Sequence, residues 1–217
     1  MLEAGDRVVE CHRVLSNSGD NIVGEFLKGV ETFFEWNHYP DGDVYDSNTH
    51  SQYYYHAHPS EERGNEHGHF HTFLRPDGMP SNIKPAKIEN YVAPDDPDDA
   101  LSHLIGISMD SAGLPIKLFT TNRWVTGEVW YRGADVKTLA SIFNIDHAQP
   151  SWPVNMWVSS MVALFQPQIA ALIDARDVTI ENWGKSYTKE DVFEDRALEI
   201  TSELLIDVDS QISILKE

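Results

Sequence analysis

Ten histidines stand in the 217-residue chain, and seven of them fall between His38 and His71: His38, His50, His56, His58, His67, His69 and His71. Two strings carry the chemistry, Tyr53-Tyr54-Tyr55-His56-Ala57-His58 and Glu66-His67-Gly68-His69-Phe70-His71. Alternate residues of a strand share a face. Read as strands, the two segments set His56 with His58 on one face, and His67, His69 and His71 on the same face of the next strand. Closed as an antiparallel hairpin, they place His58 opposite His67, His56 opposite His69 and Tyr54 opposite His71, with Cβ atoms about 4.5–5.5 Å apart. Imidazoles so arranged can converge on one ion at roughly 2.0–2.2 Å. Neutral imidazole suits zinc, iron, copper, nickel or manganese in a mixed site, and not calcium or magnesium. The expected cofactor is a divalent transition metal, with zinc, iron or manganese in first place, on His56, His58, His67, His69 and His71.

Five ligands exceed one ordinary site, so one or two of them are expected to support the others or to move protons. Glu61, Glu62 and Glu66 lie in or beside the connection and could supply a carboxylate ligand, a general base or a partner for a ligating ring. Glu62, Glu66, Tyr54 and Arg123 are the candidate catalytic residues. Arg123, in Thr121-Asn122-Arg123-Trp124-Val125-Thr126-Gly127-Glu128, offers a planar fork for an anionic group; alternatively it pairs with Glu128 or caps the next segment. The leading expectation is a small metal-dependent enzyme, with a non-catalytic module that stores, senses or carries the metal as the alternative; two other readings of the histidines stay open, local hydrogen bonding within a packed structure and a surface that responds to pH. His38 and His50 sit in a turn-rich stretch and read as surface-loop residues, with folding over the site as the alternative; His12, His103 and His147 read as structural.

The elements that must position these residues follow from periodicity. Leu2 to Ser16 spaces Val8, Cys11, Val14 and Leu15 as a helix, and Asn21 to Lys28 predicts a short second one. Thr32 to Trp36 reads as β-like and Tyr39 to Asp43 as a turn. Strands are expected at Gln52–His58, Glu66–Leu74, His103–Met109 and Leu114–Thr121, the last two as a hairpin. The final third reads as helical, with the uncharged stretch from Val154 to Ile173 a buried core helix bent or broken at Pro167. The closing helix is expected from Lys189 to Leu215. Its stripe of Leu198, Thr201, Leu205, Val208, Ile212 and Leu215, spaced alternately three and four, suits a homodimer seam. Helices, then strands, then helices predict an α+β single domain over 1–217 with a mainly antiparallel sheet: a helical start (1–30), a β-rich metal-site region (31–130) and a helical closing region (131–217).

Composition narrows the partners. With 16 Lys+Arg against 35 Asp+Glu the formal charge is −19, which disfavours nucleic acid and anionic lipid, both of which need a basic face. A small-molecule ligand remains. A single cysteine, Cys11, excludes an internal disulfide framework and a multi-thiolate zinc site. No basic start precedes an apolar run at the N-terminus, so the expected compartment is the cytoplasm.

His56-Ala57-His58-Pro59-Ser60-Glu61-Glu62 is similar to the metal motif of cupins, with Glu62 in the glutamate position. It departs from that motif at His50, where cupins carry glycine, and in lacking a recognisable third-histidine motif. Taken together, Ser51–His58, Glu66–Phe73 and Thr121–Glu128 resemble an uncharacterised bacterial protein family across most of the chain. That resemblance implies a bacterial origin and no particular activity.

Overall fold

The computed structural model describes residues 1–89, 91–187 and 191–217, apart from the side chains of Ser60 and Glu62. Helix α1 (Leu2–Asn17) buries Ala4, Val8, Cys11 and Leu15 along one stripe, the helical spacing of a core-facing surface. Asn21 accepts the Gly24 N–H and so starts α2 (Ile22–Phe26), as a cap residue should.

Six antiparallel strands then pair in chain order: β1 (Tyr39–Tyr45), β2 (Ser51–His56), β3 (Glu66–Leu74), β4 (Ser102–Asp110), β5 (Pro115–Thr121) and β6 (Ile200–Leu205). A single turn, α3 (Ser60–Arg63), joins β2 to β3; between β5 and β6 come a second single turn, α4 (Arg123–Thr126), and then α5 (Gly133–Ile142), α6 (Trp152–Leu164) and α7 (Gln166–Ser186). The architecture is α+β, as expected.

One face of the sheet carries Tyr53, Tyr55, Phe70, Ile105, Ile107 and Leu118, all essentially inaccessible to water. These residues form the main core together with α1, α2 and α6: Phe26 lies 5.5 Å from Tyr53, and Trp157 of α6 lies 5.6 Å from Phe70. The register sets the other face. His56 pairs with His69, Tyr54 with His71, His71 with Gly106, and Gly106 with Phe119. A Cβ on Gly106 would run into the Phe119 ring. The glycine therefore lets Phe119 lie across the strand and stand edge-on to His69 and His71 at 5.2 and 5.6 Å.

Several expectations change. Thr32–Trp36 forms no strand, while Tyr39–Asp43, expected as a turn, lies inside β1. The turn residues act there as an irregular edge: Gly42 and Asp43 have φ of 81° and 60°, and the register shifts between Tyr39 and Val44. The uncharged stretch is buried, but it breaks at Phe165, with Pro167 inside the first turn of α7 and a 70° bend between α6 and α7. No single helix among the described residues is long and apolar enough to cross a membrane.

The closing helix is the largest correction. Its expected start at Lys189 lies outside the described residues; Val192–Glu194 is a single 3-10 turn, Ile200–Leu205 is strand β6 on the β5 edge, and the α-helix is confined to Val208–Leu215 (α8), started by Asp207 accepting the Ser210 N–H. The unpaired backbone of β5 offers a ladder that outweighs the helical spacing of a β-branched-rich segment. The expected seam is thereby divided between a strand and a helix: Leu198 packs with Trp130 and Ile180, whereas Leu205 is 79% exposed.

Candidate metal centre

His56 closes β2, His58 stands two residues beyond the strand, and His69 is the direct cross-strand partner of His56 on β3. Their side chains meet tip to tip. The Nε2 of His56 lies 3.0 Å from the Nε2 of His58 and 3.0 Å from that of His69. Nitrogens held at the roughly 2.0–2.1 Å of a tetrahedral zinc site stand about 3.3 Å apart. The trio is thus already close to the spacing of three ligand corners, and its donor atoms all lie within 4.8 Å of one another.

The ring of His69 is also oriented. Its Nδ1 lies 2.7 Å from Oε1 of Glu66, and both groups are buried. Burial works against the charge of Glu66, but the His69 ring, Ser108 and Lys117 outweigh it and hold the carboxyl below its ordinary range. An ionised carboxylate only accepts hydrogen bonds, so Nδ1 carries the hydrogen and Nε2 keeps its lone pair for the centre. This carboxylate–histidine arrangement fixes tautomer and aim in metal sites. Burial, then the neighbouring imidazoles, holds His56 down to about 2; burial, then Arg63, holds His58 down to about 4. Burial likewise lowers His69 despite the opposing pull of Glu66, so all three rings favour the neutral form.

A second tier lies deeper. His71, 1% exposed, sets its Nδ1 2.9 Å from Nε2 of His103, and its own Nε2 has no partner among the described residues. The His103 backbone N–H donates to Oε2 of Glu128 at 2.7 Å. Glu128 is buried, its Oε1 lacks a partner among the described residues, and burial pushes its carboxyl up to about 8. Tyr54 stacks on His38 at 3.6 Å between centroids and neighbours both His56 and His71. At the outer edge, Trp36 stands edge-on to His58 at 4.3 Å, held in the left-handed region at φ 71° and 56% exposed. A bulky residue in that region is uncommon, and such strain gathers at functional sites.

The structure brings together His56, His58 and His69, with Glu66 behind His69 and Tyr54 and His71 alongside. It separates His67. A bulge between Glu66 and Gly68 shifts the register of β3, so His67 turns to the core face, where its Nδ1 meets the Tyr55 hydroxyl at 2.7 Å. His58 accordingly has no strand position opposite His67, because β2 ends at His56. The Glu62 side chain lies outside the described residues. Arg123 pairs with Glu194 at 2.7 Å and Asp191 at 3.7 Å and covers the Phe193 ring; neither Glu128 nor a histidine is among these partners. Sequence reasoning missed Arg63, whose Nη2 lies 3.4 Å from Nε2 of His58, and His103. Position just after the His-x-His string was the one signal for Arg63. His103, alone in its stretch of sequence, gave none.

No curated protein and no solved structure matches the chain. Residues 2–206 match the profile of a family described as a domain of unknown function, DUF6969, and the chain belongs to that family.

Proposed function

We propose that the protein is a small metal-dependent enzyme in which Nε2 of His56, His58 and His69 hold one divalent transition ion. The observation that carries this reading is the approach of the His58 and His69 nitrogens to that of His56, each at 3.0 Å, with all three within 4.8 Å and the hydrogen of His69 committed to buried Glu66 on the far side of the ring. An all-imidazole donor set favours zinc, iron or copper over manganese, which prefers oxygen ligands. Three protein ligands leave a position for water or substrate, the pattern of catalytic rather than structural zinc sites. An ion so held polarises a bound oxygen and lowers the pKa of a bound water. The protein's own part is to aim His69 through Glu66, to keep all three rings neutral by burial, and to wall the centre with Phe119, Tyr54 and Trp36.

The test is elemental analysis of protein purified without a histidine-affinity step. One equivalent of a transition metal is expected in the wild type and in His67→Ala, and a small fraction of that in His69→Ala with an unchanged far-UV spectrum. Stoichiometric metal retained by His69→Ala, or equal background metal in all three, refutes the site.

A further inference from the structure

Arg63 brings a guanidinium to the edge of the three-histidine cluster. Its side chain is 16% exposed, and one nitrogen, Nη2, both approaches Nε2 of His58 at 3.4 Å and pairs with Oε1 of Glu199. A guanidinium carries only donors, so it cannot ligate an ion. Beside a divalent cation it is repelled, by an amount that grows as water is excluded. Glu199, itself part-exposed, offsets some of that repulsion, and an anion lying between the ion and the guanidinium would offset the rest. The planar fork of arginine is suited to that, since it can grip a carboxylate with two parallel hydrogen bonds.

We infer that the open side of the metal centre binds a small monocarboxylate, with one carboxylate oxygen directed to the ion and the carboxylate also held by Arg63. This rests on the metal reading above. The neighbouring charges select the valence of the ligand. Glu199 already shares the charge of Arg63, buried Glu66 lies behind His69, and Lys117, 4.0 Å from Glu66, is itself paired with Glu203 at 3.1 Å, so that with a divalent ion bound these groups leave one positive charge. A single negative charge complements what is left, whereas a phosphate dianion meets Glu199 with an excess. The exposed Trp36 ring beside His58 offers an apolar surface for the body of such a ligand.

The experiment uses the full chain stripped with a chelator and reloaded with Co(II), whose visible bands report ligands entering the coordination sphere. Acetate is expected to perturb those bands saturably, and inorganic phosphate to need at least tenfold more. Arg63→Gln should raise the acetate midpoint tenfold or more while Co(II) affinity stays within threefold. Arg63→Lys, which keeps the charge and loses the fork, should fall between the two and serves where the glutamine variant fails to fold. Equal acetate midpoints in wild type and variants overturn the inference and leave the metal site standing. Phosphate binding as tightly as acetate overturns the monocarboxylate assignment. Loss of Co(II) affinity in the Arg63 variants overturns it too, by making Arg63 a support of the fold. A wild type that takes up no Co(II) removes the metal reading itself and this inference with it.

Discussion

Glu128→Gln should stabilise the protein, and by an amount that grows with pH. The wild-type carboxyl is fully buried, and its pKa rises from an ordinary 4.5 to about 8, chiefly through desolvation. The folded protein therefore holds a proton that the unfolded chain releases above pH 4.5. A group of this kind contributes its stability in full below the unfolded pKa, and loses it as pH climbs toward the folded one. At about 1.36 kcal/mol per unit, the loss is about 3 kcal/mol at pH 7 and approaches about 5 kcal/mol above pH 8. Glutamine keeps the shape and still accepts the His103 N–H, but cannot ionise, so it escapes the loss. Urea unfolding followed by tryptophan fluorescence at pH 5, 7 and 8.5 measures the difference, provided the denaturant slope is unchanged. Variant and wild type should nearly coincide at pH 5 and diverge in favour of the variant by pH 8.5. Parallel pH profiles refute the argument, because they mean that Glu128 is ionised in the folded state at no cost.

Two further predictions concern the site and the sheet beneath it. Glu66→Gln removes the charged acceptor from Nδ1 of His69 and should weaken Zn(II) binding about 10–100-fold, the usual cost of losing such a partner; competition with a chromophoric chelator reads this, and unchanged affinity denies Glu66 its orienting role. Gly106→Ala drives a methyl into the Phe119 ring and should cost about 1–3 kcal/mol of stability, whereas an unshifted urea midpoint refutes the close packing at that crossing.

The alternate spacing of the histidines and the length of the connection between the two strings were enough to read the pairing of His56 with His69 and of Tyr54 with His71. The position of His67 was not legible from spacing, because strict alternation assumes an unbroken ladder. The available signal was Gly68, since an isolated glycine in a strand suggests a bulge or a close approach. Both hold here: the register shifts at this residue, and a Cβ on it would press on the Tyr55 hydroxyl and the His56 carbonyl. The C-terminal segment misled for the opposite reason. Its three-four spacing is a valid helix pattern taken alone, and only the free edge of β5, distant in sequence, makes Ile200–Leu205 a strand. Arg63 reaches His58 from the short connection of the same hairpin, five residues on, whereas His103 joins the cluster from β4 by tertiary approach, which no local pattern encodes.

All three converging histidines come from a single hairpin, β2 and β3 with their short connection. Closing so short a loop costs little chain entropy. The denatured chain therefore retains much of the donor set within reach of an ion, and an ion held as proposed would bind on both sides of the unfolding equilibrium. Affinity for the unfolded state subtracts from ligand-induced stabilisation. A rise in melting temperature on adding metal would then report the difference between two chelating ensembles, and should fall short of the affinity given by direct titration of the native protein.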